Sequence, residues 1–156
     1  MELHLLTQKD RTYEWNGPIL ALWPTKSLMD TIDSLKGEND VLMVPWTLEE
    51  VQFWIDTWNA RELGTDDSAT APRRINTAVE IALERLDSIV NKSTGILHPS
   101  DRKTAIETFT KLRNNGTPFN PEEVRAWLIR ESGWEPRHAD DVSRVAKAVL
   151  EGRRLR

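Results

Sequence analysis

The chain has no cysteine. That removes disulfides, thiolate zinc sites and cysteine nucleophiles, and it fits a reducing compartment. No apolar run approaches the length needed to cross a bilayer. The opening stretch MELHLLTQKD lacks the basic region and long apolar region of a secretory signal. Also missing are a phosphate-binding loop, the glycine pattern of dinucleotide-binding folds, an HExxH zinc motif and a nucleophile elbow. These absences exclude several chemistries and suggest a cytoplasmic protein, with no cofactor expected.

What is present is tryptophan, seven residues in 156, and an uneven charge distribution. The net charge of −4 conceals two halves of opposite sign. Residues 1–72 hold 5 basic and 13 acidic side chains, net −8, and residues 73–156 hold 16 basic and 12 acidic ones, net +4. The sign changes at the polar stretch Gly64–Pro72, which reads as the boundary between a small α/β half (1–63) and a helical half (73–156). With 156 residues, the chain can bury a core as one domain or as two small ones.

The N-terminal half is organised around Val41–Trp58. Val41–Val44 is a continuous apolar run between turn signals, the pattern of a strand buried on both faces. Thr47 and Glu50 have capping-box spacing, with Trp46 and Val51 placed as a hydrophobic staple. Val51, Trp54, Ile55 and Trp58 follow on one helical face. Trp46, Trp54 and Trp58 therefore read as core aromatics, or as an aromatic patch that receives a partner. Upstream, Glu2–Leu6 and Thr12–Trp15 suggest short strands. Ile19–Trp23 is a stronger strand that ends at Pro24. A helix follows from Thr25 or Ser27 to Lys36, with Ser27 and Asp30 as a capping box. ILALWPT and VLMVPWT align at an offset of 22 residues. Two such copies predict consecutive βα units and a parallel strand pair.

After the boundary the pattern is helical. Apolar stripes predict helices over Ile75–Asn91, Asp101–Asn115, Pro121–Ser132 and Ala139–Glu151. The third has the clearest start, with Asn120 as N-cap and Pro121 at the first helical position. The expected fold class is α/β, with α+β as the alternative: a small, partly parallel sheet followed by four helices.

The segment VNKSTGILHPSDRKTAIETF, together with PILALWP and VPW, resembles an uncharacterised actinobacterial protein family in which an STG-x-x-HPSDR motif follows a long helix. Ser93, Thr94, Gly95, His98, Pro99, Ser100, Asp101 and Arg102 carry the match. The resemblance implies a bacterial protein with no assigned activity, so it transfers no catalytic residues.

Three constellations could carry function. His98, Ser100, Asp101 and Arg102 could form a polar site, because histidine titrates near neutrality and arginine clamps anions. Those residues equally suit the capping of the next helix. Thr25, Lys26, Ser27, Trp46 and Thr47 would lie beyond the strand carboxyl ends, where open α/β sheets bind ligands, and could hold an anion between indoles. The bland reading there is ordinary corners and caps. Trp58, near the helix end, could frame a partner surface. His138 and Asp141 repeat the HxxD spacing of His98 and Asp101. Two ligands per site are too few for a metal, so no metal site is expected. The last two helices have a helix-turn-helix outline. The second opens with acids that repel phosphate, which disfavours duplex DNA as a partner.

The leading expectation is a non-catalytic interaction or regulatory module whose partner is an unidentified protein, with self-association left open and no membrane contact. The alternatives are an enzyme that binds a small ligand or phosphate anion at the strand corners, and a nucleic-acid accessory protein acting through the basic C-terminal half.

Overall fold

The computed structural model describes residues 15–35, 40–64 and 75–153. The expected strands at Glu2–Leu6 and Thr12–Trp15 fall outside them except for Trp15, which is in no strand. The stretch after Gly64 as far as Pro72 also lies outside them. In chain order the elements are β1 (Ile19–Leu22), α1 (Lys26–Asp33), β2 (Val41–Val44), α2 (Leu48–Trp58), α3 (Thr77–Ile89), a short 3-10 turn (Gly95–Leu97), α4 (Pro99–Asn114), α5 (Pro121–Arg130) and α6 (Pro136–Leu150). The fold is α/β, with its helices concentrated in the C-terminal half. Internal contacts divide the chain into two compact units, Met1–Trp54 and Ile55–Arg156, so the division falls inside α2.

In the first unit β1 and β2 pair in parallel, with Ile19 opposite Val41, Leu20 opposite Leu42, Ala21 opposite Met43 and Leu22 opposite Val44. The ladder is closed by Ile19 N–H donating to the Asp40 carbonyl at 2.8 Å and Trp23 N–H donating to the Val44 carbonyl at 2.7 Å. Pro24 ends β1, since proline brings no N–H to continue a ladder. The cap of α1 is Thr25, whose hydroxyl accepts from Leu28 N–H at 3.3 Å. This corrects the expected Ser27–Asp30 box, because Asp30 pairs with Lys26 instead, at 3.1 Å. The helix also stops at Asp33 rather than Lys36. At its end the Thr31 and Ser34 hydroxyls donate back to the carbonyls of Ser27 and Asp30, a local competition that weakens helix continuation. Among the described residues of this unit, Ala21, Met29, Ile32, Val51 and Trp54 are the buried large or aliphatic ones. The Trp54 indole N–H donates to Asp33 Oδ1 at 2.9 Å, which ties α2 to α1.

The strands correct a second expectation. Val41–Val44 was predicted to be buried on two faces, but Leu42 and Val44 are exposed, as are Leu20 and Leu22 of β1. In a parallel pair in this register, those four side chains share one face of the pleat, and Ile19, Ala21, Val41 and Met43 share the other. The second set is buried or half-buried. Among the described residues, the sheet therefore has one covered face and one bare face.

The second unit is a helical assembly around one continuous core. Val79, Leu83 and Leu86 come from α3, Ala105, Phe109 and Leu112 from α4, Val124 and Leu128 from α5, and Val142, Val145, Ala146 and Val149 from α6. Each set repeats at three- and four-residue spacing, the stripe that drives amphipathic helices together. Burying each large aliphatic side chain stabilises the unit by roughly 1.5–3 kcal/mol. Asn76 and Asn120 cap α3 and α5, accepting from the N–H of Ala78 and of Glu122, each at 2.9 Å. The helix α6 begins at Pro136, three residues before the expected Ala139. Asp140 and Asp141 consequently lie in its second turn, not at its start. The signal overlooked was proline at the first helical position.

Candidate functional site

The strand corners carry the least ordinary backbone in the first unit. Trp23 has φ +47, in the left-handed region. That region costs a residue with a side chain about 1–2 kcal/mol. Asn59, at φ +51, differs in kind. It follows α2, where Ala60 N–H donates to the Ile55 carbonyl at 3.1 Å, an ordinary helix ending. Trp23 ends no helix. Its left-handed turn brings the indole against that of Trp46, with ring centroids 5.1 Å apart and planes at 20°. Both indoles stay open to solvent, at 52% and 74% exposure. Trp46 is thus neither a core aromatic nor buried beside Val51. It forms an exposed stacked pair just beyond the C-terminal ends of both strands.

The other residues of the corner are occupied locally. The Thr25 hydroxyl caps α1. The Lys26 ammonium pairs with Asp30 and lies 5.7 Å from the centre of the Phe53 ring, a cation–π distance. Ser27 and Thr47 are exposed, and each lends its carbonyl to a helical turn, to the Thr31 hydroxyl and to Glu50 N–H respectively. Of the five predicted ligand-binding residues, Lys26 reaches α2 through Phe53, and Trp46 joins the exposed stacked pair.

The polar connection before α4 is built from side chains that hold its own backbone. Asn91 Oδ1 accepts from the N–H of Ser93 at 3.1 Å and from its hydroxyl at 2.8 Å. Gly95, at φ +56, is where only glycine fits, because a Cβ there would stand 2.9 Å from Cβ and Cγ of His138. His138 is buried, and its Nδ1 donates to the Lys92 carbonyl at 3.0 Å. Lys92 in turn reaches the Ser132 carbonyl at 2.9 Å and Asp87 at 3.0 Å. The Trp134 indole N–H donates to the other oxygen of Asp87 at 2.6 Å. This network joins the end of α3 to the start of α6 and leaves His138 a satisfied core residue.

His98, Ser100 and Asp101 do come together. His98 is the N-cap of α4, and its Nδ1 lies 3.4 Å from Ser100 N and 2.7 Å from the Ser100 hydroxyl. That hydroxyl also reaches Asp101 Oδ1 at 3.1 Å. In a nucleophilic triad the carboxylate holds the imidazole, and the imidazole takes the serine proton. Here the carboxylate meets the serine, and one imidazole nitrogen serves both the hydroxyl and the helix amide. The arrangement caps the Ser100 amide at the start of α4. Arg102 is exposed on the next position of that helix. Among the described residues, no group of three or more histidines and carboxylates is placed to hold a metal ion.

Burial decides how the last two helices can be read. Pro136, His138, Ala139, Val142, Ser143, Val145, Ala146 and Val149 of α6 are buried, leaving only a narrow outer stripe. A recognition helix needs an open face for a groove. Three arginines on or beside the stripe are paired with acids: Arg144 with Asp141, Arg137 with Glu135 at 2.8 Å, and Arg153 with Glu151 at 2.7 Å, while Lys147 is exposed on it. Asp140, at 2.5 Å from Nε of the buried Arg125, is an internal counter-charge. Trp58, in the last turn of α2, is 38% exposed, against 7% for Trp54.

Residues 75–156 match the family described as Domain of unknown function (DUF1889). The chain belongs to that family. The DUF1889 domain runs from just before α3 through α6 and contains the whole STG–HPSDR segment. The βαβα stretch, with its bare sheet face and indole pair, precedes it. No curated protein and no solved structure matches the chain. Among the described residues, no helix is long and apolar enough to cross a membrane.

Proposed function

We propose that this DUF1889 protein is a non-catalytic interaction module of the cytoplasm, and that it engages its partner through the first unit. One observation carries the reading: a sheet face of Leu20, Leu22, Leu42 and Val44 is bare, and a stacked, exposed tryptophan pair adjoins the strand ends. Contiguous exposed apolar patches beyond a few hundred Å² mark interaction surfaces, and tryptophan is enriched among the residues that dominate binding energy. The left-handed Trp23 supports the same reading, since unfavourable backbone persists where surrounding structure holds it for a purpose. The polar candidates argue for scaffolding over catalysis. Thr25, Lys26, His98, Ser100 and Asp101 each have a capping or pairing role. Paired surface arginines on α6 give little support to a nucleic-acid role.

The test is affinity capture with chemical cross-linking from the native cell, comparing the parent with Leu22→Lys and Trp46→Ala. A cross-linked protein obtained with the parent and lost with both variants is the expected result. Identical capture by all three would remove this surface from the function.

A further inference from the structure

We infer that the bare face of the β1–β2 sheet, completed by Trp23 and Trp46, is a two-fold contact between two copies of this chain. The inference rests on the interaction-module reading and names its occupant. The face itself makes the first argument. Leu20 and Leu42 lie side by side, as do Leu22 and Val44, with no charged or polar side chain among them. A face of this kind resembles half of a core, the character of an interface between like subunits more than of a transient one. It is also self-complementary, since an aliphatic face needs no matching pattern of charges to meet itself across a two-fold axis.

Area supplies the second argument. At their exposures of 59, 48, 44 and 39% for Leu20, Leu22, Leu42 and Val44, the strand side chains offer only about half of what is needed. With Trp23 and Trp46 at 52 and 74%, the surface rises to about 700 Å², near the roughly 800 Å² that each partner contributes to a standard stable interface. A contact of standard size on this face therefore needs both indoles. Two twisted sheets stacked at about 10 Å is an established way to cover such faces. A two-stranded sheet is also marginal by itself and gains from cover on its second face.

Charge supplies a signature. Residues 1–72 carry a net −8, so two copies repel each other through groups outside the contact. Salt screens that repulsion over a Debye length of about 8 Å at physiological ionic strength and leaves the apolar contact intact. Self-association through this face therefore strengthens as salt is added. Binding of a basic partner to the same unit would weaken.

The experiment is sedimentation equilibrium of the full chain over a wide concentration range, at low and high sodium chloride. The expected result is a monomer–dimer equilibrium that tightens with salt. Leu22→Lys and Leu22→Glu should each raise the dissociation constant by about a hundredfold or more, because each would bury an unpaired charge. Their equimolar mixture should recover dimer through opposite charges across the axis. Trp46→Ala should weaken the dimer, and Ile89→Lys, at an exposed position of α3, should leave it unchanged. Far-UV circular dichroism matching the parent shows that each variant is folded. A parent that stays monomeric at every concentration overturns the inference, as does a dimer indifferent to both Leu22 variants or one that weakens with salt. The two readings fail separately. A monomeric parent whose cross-linked partner is lost in Leu22→Lys overturns the second-copy assignment and keeps the interaction module. A monomer whose captured proteins are unaffected overturns both.

Discussion

The two units treat the same kind of residue differently. In the second, the leucines, valines and phenylalanine of four helices close on one another, and positions such as Leu83, Phe109 and Val142 have no measurable exposure. In the first, a run as apolar as any in the chain is half covered, and Leu20 is 59% exposed. Both places are apolar, and what differs among the described residues is whether a second layer covers them. A helix of the DUF1889 domain presents one apolar stripe and finds a neighbour for it. Among the described residues, β1 and β2 each present two apolar faces and find cover for one. The uncovered face is the costly feature of the first unit, and that is the ground for proposing the partner contact there.

The largest effect should come from breaking the closed core. Phe109→Ala should lower stability by about 3–5 kcal/mol in chemical denaturation, with no change in any association through the sheet. Trp54→Ala should cost a similar amount, because it also strands Asp33 without its indole partner. A smaller loss, about 1–3 kcal/mol, is expected for Gly95→Ala, which combines a left-handed φ with a contact against His138. A neutral result there would mean that the connection before α4 can move away from α6. Trp58→Ala should fall between Trp54→Ala and the surface variants, in keeping with its 38% exposure. Melting of Trp58→Ala at the parent's temperature would add that indole to the exposed surface.

At the small end, Lys26→Ala removes a surface ion pair worth about 0–1 kcal/mol. A thermal-shift screen of phosphate-bearing compounds should show no stabilisation that depends on Lys26. A reproducible hit would revive the strand corners as a ligand site. Binding to duplex DNA should likewise be weak and lack a steep dependence on salt.

Much of this was legible in the sequence where local signals are strong. Asn120 followed by Pro121 announced α5, and the aligned ILALWPT and VLMVPWT announced two βα units that pair in parallel. The register of the bare face was hidden for a physical reason. Alternation reveals a half-covered strand only when one face is polar, and VLMV is apolar on both. The start of α6 was displaced because Glu135 makes no side-chain cap, and the Asp140–Asp141 pair mimics first-turn acids. Trp46 had staple spacing, but the left-handed turn at Trp23 offered it an aromatic partner from the other strand end. Such a turn at a non-glycine residue leaves no mark in the sequence. The role of His98 could be narrowed to capping or a site, and only the geometry of Ser100 and Asp101 shows which nitrogen and which oxygens are used.

The most direct test of the contrast is one substitution made in both units. Leu22→Lys and Leu83→Lys apply the same chemical change to a leucine that is 48% exposed and to one that is 0% exposed. Chemical denaturation at a protein concentration low enough to keep the chain monomeric reads each effect. Leu22→Lys should stay within about 0.5 kcal/mol of the parent, as surface changes do, while Leu83→Lys should lose most or all of its folded stability. A Leu22→Lys protein destabilised as severely as Leu83→Lys would show that the sheet face is covered within the single chain, and would contradict the account.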